Sequence, residues 1–239
     1  METISKNKIK WIRSLKMKKN RDLLQLFVVE GEKMVLELIK DWSSHIECVI
    51  SMDDNFNFSG ECLFAGERKM KEISQLSTPN KLLAVVKKPK TLSSVNSTTI
   101  LALDGIQDPG NMGTILRTAD WFGIQDIICS NQCVDIYNSK VVQSTMGSIF
   151  RVNIQYVDLK EYLKTTKLPI YGALLEGDNI YTKELNKGIL VMGNEGKGIS
   201  DEILPLITHP IHIPKFGHSE SLNVSIATGI ILSEFARRD

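Results

Sequence analysis

"LDGIQDPGNMGTILRTADWFGI", residues 103–124, is the stretch from which the fold is read. It leaves a hydrophobic strand at Leu103, turns through Asp108-Pro109-Gly110 and enters a helix at Asn111. Proline and glycine supply the turn, and asparagine at that point suits a helix N-cap. Within the helix Ile115, Leu116, Ala119 and Phe122 share one stripe that faces a sheet, and Arg117 lies off it. A guanidinium off the buried face is free to meet a phosphate or carboxylate; taken alone, a helical arginine is more often structural or solvated.

Outward from this stretch the pattern alternates. "TTILALDGI" reads as a strand before the helix, "IQDIICS" as a strand after it, and "SKVVQSTMGSIF" as a helix. The alternation continues through "RVNIQYV", "LKEYLKTTK", "IYGALLEG", "GILVMG", "ISDEILPLI" and "HPIHIP" to a last helix, "LNVSIATGIILSEFARR". Strands alternating with helices predict an α/β domain with a mainly parallel sheet covered on both faces. Functional loops in such sheets lie beyond the carboxyl ends of the strands.

Three loops fit that position: "DGIQDPGNMG", "MGNEGKG" and "PKFGHSESLN". The second fails both phosphate-binding templates, because Gly198 and not Ser or Thr follows Lys197, and the glycine order is not that of a dinucleotide fingerprint. The third crowds Ser219, Glu220, Ser221 and Asn223 at a helix start. Capping accounts for one of them, not four. His209 and His212 alternate across a strand, a poor arrangement for a metal, and Cys129 and Cys133 lack a second ligand pair. No metal is expected.

Ahead of this domain, the Ser/Thr-rich "KKPKTLSSVNSTT" reads as a linker. The expected division is a small α/β domain over 1–90, a linker over 91–99 and the main domain over 100–239. In the first domain "FVVEGEKMVLELIKDW" has helical spacing, "HIECVIS", "ECLFAG" and "KLLAVVKK" read as strands, and "KEISQLS" as a brief helix. The net charge is only +1, yet residues 1–21 hold eight Lys or Arg and a single acid, Glu2. Such a cluster is either an electrostatic footprint for phosphate or a solvated helix face. The chain has no apolar run near the roughly 18–20 residues that span a bilayer. Four cysteines without framework spacing point to a reducing cytoplasm.

Together and in this order, "DPGNMGTILRTADWFG", "LVMGNEGKGIS" and "IPKFGHSESLNVSIATGIILSEFAR" resemble the three motifs of the SpoU (TrmH-like) family of SPOUT methyltransferases. Through "FVVEGEKMVLELI" and "STPNKLLAVVKK" the first domain is similar to a substrate-binding module like ribosomal protein L-thirty-e. The resemblance implies a parallel sheet with a deep trefoil knot, an exception to the rule that chains are unknotted. It implies methyl transfer from S-adenosylmethionine to a ribose 2′-hydroxyl in RNA, ribosomal by preference and transfer RNA as the alternative, by a homodimer packed through the knotted domains.

The cofactor site implied by the family maps onto Leu174, Glu176, Met192, Gly193, Asn194, Gly198, Ile213 and Leu222, and the catalytic set onto Asn111, Arg117, Glu195, Ser221 and Asn223. An RNA enzyme also gives the basic segment a use, with Lys16, Lys18, Lys19 and Arg21 as phosphate contacts. Two rivals stand beside this reading: a noncatalytic RNA-binding factor in ribosome assembly, and an ordinary nucleotide-binding enzyme of the open α/β type.

Overall fold

The computed structural model describes residues 1–89 and 97–237. In chain order the elements are β1 (Glu2–Thr3), α1 (Lys6–Ser14), α2 (Lys18–Leu24), β2 (Leu26–Glu30), α3 (Glu32–Asp41), β3 (Ile46–Ser51), β4 (Cys62–Phe64), α4 (Glu67–Ile73) and β5 (Leu82–Lys87). They continue with β6 (Ile100–Leu103), α5 (Pro109–Trp121), β7 (Asp126–Ser130), α6 (Ser139–Thr145), β8 (Asn153–Val157), α7 (Leu159–Thr165), β9 (Ile170–Asn179), β10 (Ile189–Met192), β11 (His209–His212) and α8 (Val224–Ala236). Two compact units result: Met1–Lys90 with Asp135–Gly147, and Thr91–Val134 with Ser148–Asp239. Asp135–Gly147, read from sequence as part of the second domain, thus groups with the first unit. Most of the expected linker, residues 91–96, lies outside the described residues.

The first unit is built on a sheet of order β1-β4-β3-β5-β2, in which β5 runs antiparallel to both of its neighbours and the β1–β4 and β3–β4 pairs are parallel. One face is covered by α1 and α4, which bury Ile9, Ile12, Met70 and Ile73 in a cluster with Ile50, Leu83 and Val85. The helical reading of "FVVEGEKMVLELIKDW" holds only for its second half. Leu26–Glu30 is a strand with every residue buried, because an unbroken apolar run rich in β-branched residues suits a strand covered on both faces. Gly31, at φ +117, makes the turn into α3.

Arg21 also corrects the sequence reading. Its side chain is buried, with Nη1 donating to the Leu15 and Lys16 carbonyls at 2.9 and 2.7 Å and Nη2 to the Asp135 carboxylate at 2.6 Å. It is committed inside the unit and does not face a ligand. Beside it Tyr137 packs against Phe27, ring centroids 4.8 Å apart, and Lys88 lies 4.6 Å from the Tyr137 ring centroid. These contacts fasten Asp135–Gly147, whose helix α6 packs on β2.

The second unit holds a six-stranded sheet of order β11-β9-β10-β6-β7-β8 in which every pair is parallel. All six carboxyl ends therefore lie along one edge. Ile100, Ala102, Ile189 and Val191 pack with Leu159 and Leu163 of α7, and α5 packs with α8. Between β10 and β11 "ISDEILPLI" yields a single 3-10 turn, Leu204–Leu206, where the alternation calls for a helix. Pro205 offers no amide to continue one. The β9–β11 register slips between Pro210 and Ile211, and there Gly177, at φ +150, lies so close that a Cβ would sit 2.6 Å from the Pro210 backbone.

Replacing Arg21 with Ala strands a nearly buried carboxylate on Asp135. Chemical denaturation should show a loss of about 3–5 kcal/mol, typical of breaking one side of a buried ion pair. The double variant with Asp135→Ala should lose less than the two single losses added.

Candidate active site

At the carboxyl edge of the parallel sheet, the loop after β6 feeds α5. The N-cap is Asp108, not Asn111: its side chain accepts the Asn111 amide at 2.8 Å, with Pro109 as the first helical residue. Asp-Pro is itself a helix-start signal, so this cap was readable. Moving the cap to Asp108 leaves the Asn111 side chain free. On the same helix Ile115, Leu116 and Ala119 are buried, while Phe122 stands half-buried at the C-cap.

The loop after β10 closes on itself. Asn194 and Gly198 exchange two backbone hydrogen bonds of 2.9 Å, and the Asn194 Oδ1 accepts the amides of Gly196 and Lys197. Gly193 sits inside this turn, where a Cβ would lie 2.2 Å from backbone atoms of Gly198 and Ile199. The turn is tied to the first loop by Asn194 Nδ2, which donates to the Gly105 carbonyl at 2.7 Å. Asp104, buried behind it, accepts the Ser200 amide at 2.8 Å.

Glu195 joins the loops. Its carboxylate accepts the Asp108 amide at 3.1 Å, Asn111 Nδ2 at 3.2 Å, Asn194 Nδ2 at 3.3 Å and the Gln107 amide at 3.4 Å. A negative charge at the start of α5 is also favoured by the helix dipole. Asn111 Oδ1 in turn accepts Asn223 Nδ2 at 2.9 Å, and Asn223 Oδ1 caps α8 by accepting the Ser225 and Ile226 amides. An ionised carboxylate only accepts and helix amides only donate, so both asparagine amides are fixed in orientation from both ends. One polarised chain runs from the α8 N-terminus to Glu195.

Asn111, Glu195 and Asn223 are thus brought together. Arg117 lies further along α5, exposed and, among the described residues, without a hydrogen-bond or ion-pair partner. The Ser221 side chain is exposed, and its carbonyl accepts the Ser219 hydroxyl at 3.0 Å. Leu174 and Glu176 lie on the outer half of β9, beyond its pairing with β10. Met192 ends β10, Ile213 follows β11, and half-exposed Leu222 adjoins Asn223. Missed from sequence were Asp104 and Asp108, two carboxylates that hold backbone amides of these loops.

Below the loops Cys133 donates to the Leu103 carbonyl at 3.3 Å, and its hydrogen bond with Cys129 draws its thiol down to about 7. The same hydrogen bond, together with full burial, pushes Cys129 well above the ordinary thiol range. His209 bonds the neighbouring Thr208 hydroxyl, and His212 the Gly177 carbonyl on β9. Among the described residues no group of three His, Cys, Asp or Glu is placed to hold a metal.

The SpoU rRNA methylase family matches residues 98–233, which include all three loops. The chain belongs to this family. The MRM3-like substrate binding domain matches residues 6–84 of the first unit. Among curated proteins, the 23S rRNA (guanosine(2553)-2'-O)-methyltransferase RlmP of Bacillus subtilis is 28% identical over 97% of either chain. A TrmH-family protein from Porphyromonas gingivalis is 38% identical, superposes with a TM-score of 0.87 and is matched over 99% of this chain and all of its own. An AdoMet-bound rRNA methyltransferase from Sinorhizobium meliloti is 29% identical with a TM-score of 0.83, over 100% of this chain and 97% of its own. In SpoU terms, the parallel sheet carries all three motif loops on one edge, and Asn111, Glu195 and Asn223, one from each, make the link between them.

Gly193→Ala drives a methyl into the Asn194–Gly198 turn. Overpacking of this kind costs about 1–3 kcal/mol, so amide exchange at Asn194 and Gly198 should quicken by roughly 5- to 150-fold, as read by hydrogen–deuterium exchange.

Proposed function

We propose that this protein transfers a methyl group from S-adenosylmethionine to the 2′-hydroxyl of a ribose in ribosomal RNA. The observation that carries the reading is the unbroken hydrogen-bond chain Asn223–Asn111–Glu195, which ties together the three loops of a SpoU site; Arg117, on the same helix as Asn111, has no side-chain partner among the described residues. The ribosomal preference rests on the RlmP likeness and on the substrate-binding module at the front of the chain. Transfer RNA is the alternative substrate. A noncatalytic RNA-binding factor is disfavoured by the intact set, and a nucleotide-binding enzyme of the open α/β type by the loop after β10, which is an asparagine-braced turn and not a phosphate cradle.

The residues at this edge fit the cofactor. Leu174, Ile213 and Leu222 offer aliphatic surface for a flat heteroaromatic ring, and the main-chain carbonyls at Met192, Gly193, Asn194 and Gly198, each with two lone pairs, offer acceptors to select its edge. A Cβ at Gly198 would meet nothing within 4 Å, so the backbone there is open to a ligand. Glu176 supplies an exposed carboxylate for a ribose diol. When bound, S-adenosylmethionine supplies a methyl group activated by its sulfonium.

The protein's own residues then align the ribose oxygen and manage its proton. Glu195 is a positioning residue, because four N–H donors already occupy its carboxylate. Arg117 holds the hydroxyl and the neighbouring phosphate in its planar fork, a role that suits a guanidinium as donor and not as base. The proton leaves to a phosphate oxygen or to water. Ser221, exposed in the same loop as Asn223, is assigned to contact with the substrate ribose.

The chain works as a homodimer through the second unit, where Trp121 of α5 and Ile226 of α8 are 84% and 56% exposed. It carries the trefoil knot of its family and acts in the cytoplasm, where its RNA is made; among the described residues no helix is long and apolar enough to cross a membrane. Lys16, Lys18 and Lys19, all exposed, contact RNA phosphates, with Lys18 partly engaged by Asp22 at 2.8 Å.

Labelled S-adenosylmethionine incubated with total RNA from cells lacking the gene should mark one ribosomal linkage, mapped by its resistance to alkali. Arg117→Ala should abolish the label. Arg117→Lys should lose about 10- to 150-fold in turnover, the scale of a charged hydrogen bond of about 1.5–3 kcal/mol; near-normal turnover with an unaltered pH profile would remove any special guanidinium role. Replacing Lys16, Lys18 and Lys19 with Glu should weaken RNA binding at low salt and reduce the log–log salt slope by about 0.7–0.9 for each phosphate no longer neutralised.

A further inference from the structure

The loop from Ile213 to Leu222 carries a phenylalanine that the reading above leaves unused. Phe216 is 94% exposed, the most exposed of the large apolar side chains described. It stands between Lys215 and Gly217, both exposed, and the position of a Cβ on Gly217 is open space. The loop starts at the end of β11 and finishes at Asn223, which bonds Asn111. Both of its ends are therefore fixed at the carboxyl edge of the sheet. Between them, among the described residues, no backbone amide of 213–222 bonds another backbone group.

A phenyl ring held in water beside a lysine, on a loop anchored at a ribose-modifying site, is matched by one chemistry. An unstacked nucleobase offers a flat face to the ring, while the phosphate attached to it meets the cation. Aliphatic residues would serve equally well against a protein surface, whereas stacking on a base requires an aromatic plane. We propose that Phe216 stacks on an unpaired base of the RNA substrate, the target nucleotide's or its neighbour's, with Lys215 on the adjoining phosphate. The proposal rests on the methyltransferase reading and adds the residue that sets how the nucleotide is presented. Phe216 acts in substrate binding and leaves the cofactor site alone.

The test compares Phe216→Ala, Phe216→Leu and Phe216→Trp with the wild-type protein in methyl transfer to ribosomal RNA, with S-adenosylmethionine affinity measured separately by calorimetry and folding by thermal melting. Loss of one stacked base should raise the KM for RNA by about 5- to 150-fold in the Ala and Leu variants. The Trp variant should stay near wild type, and cofactor affinity and melting temperature should not change. If the wild-type protein transfers methyl groups normally and Phe216→Ala keeps its KM, the stacking role is overturned and the methyltransferase reading stands. A Leu variant as good as Trp also overturns it, and a shift in sedimentation would then assign the side chain to contact with a second copy. Absence of methyl transfer by the wild-type protein, with every RNA tried, overturns both readings.

Discussion

The second unit depends on one carboxylate that takes its hydrogen bonds directly from two loops and is linked to the third through Asn111. Glu195 collects donors from the loop after β6, from the start of α5 and from its own turn, and through Asn111 it reaches the cap of α8. Each partner is weak when taken singly, at 3.1–3.4 Å and exposed to water. What they provide is direction. Because the carboxylate cannot donate and the α8 amides cannot accept, flipping either asparagine would place like groups against each other at both of its contacts. The site is therefore ordered by polarity more than by apolar packing, and its geometry follows from the parallel sheet that delivers the three loops to one edge.

Much of this was legible in the sequence. The strand–turn–helix at 103–124, the alternation that follows it and the three glycine-bearing loops all carry local signals, and local signals survive folding when each element's apolar stripe agrees with its place in the sheet. The stripe of Ile115, Leu116 and Ala119 did so. The N-cap was misplaced by three residues because both Asp108 and Asn111 are good caps; Pro109, which suits the first helical position, decides for Asp108. Periodicity failed at Leu26–Glu30, where an apolar run beside a true helix shares its spacing by chance.

Long-range pairing was not legible. Nothing near Arg21 in sequence announces that its partner is Asp135, so a buried structural cation was read as one more member of an exposed basic cluster. Composition counts charges and does not say which of them are already neutralised. Lys88 and Asp22 give the same lesson: Lys18, one helical turn away, and the largely covered Lys88, far off in the chain, together hold the Asp22 carboxyl down at about 2. The link through Glu195 was likewise invisible, although its members were each singled out, because the resemblance names residues without their mutual contacts.

The grouping of Asp135–Gly147 with the first unit has a consequence for synthesis on the ribosome. Every strand of the first sheet has left the exit tunnel once Lys87 is out, yet that unit is not finished. Phe27, fully buried in the finished fold, has Tyr137 against its ring, and β2 has α6 packed on it. Those partners are translated only after β6, α5 and β7. The nascent first unit must wait with an apolar surface uncovered and Arg21 without Asp135. It is completed by a segment that interrupts its successor, so the two units mature in an interleaved order, not one after the other.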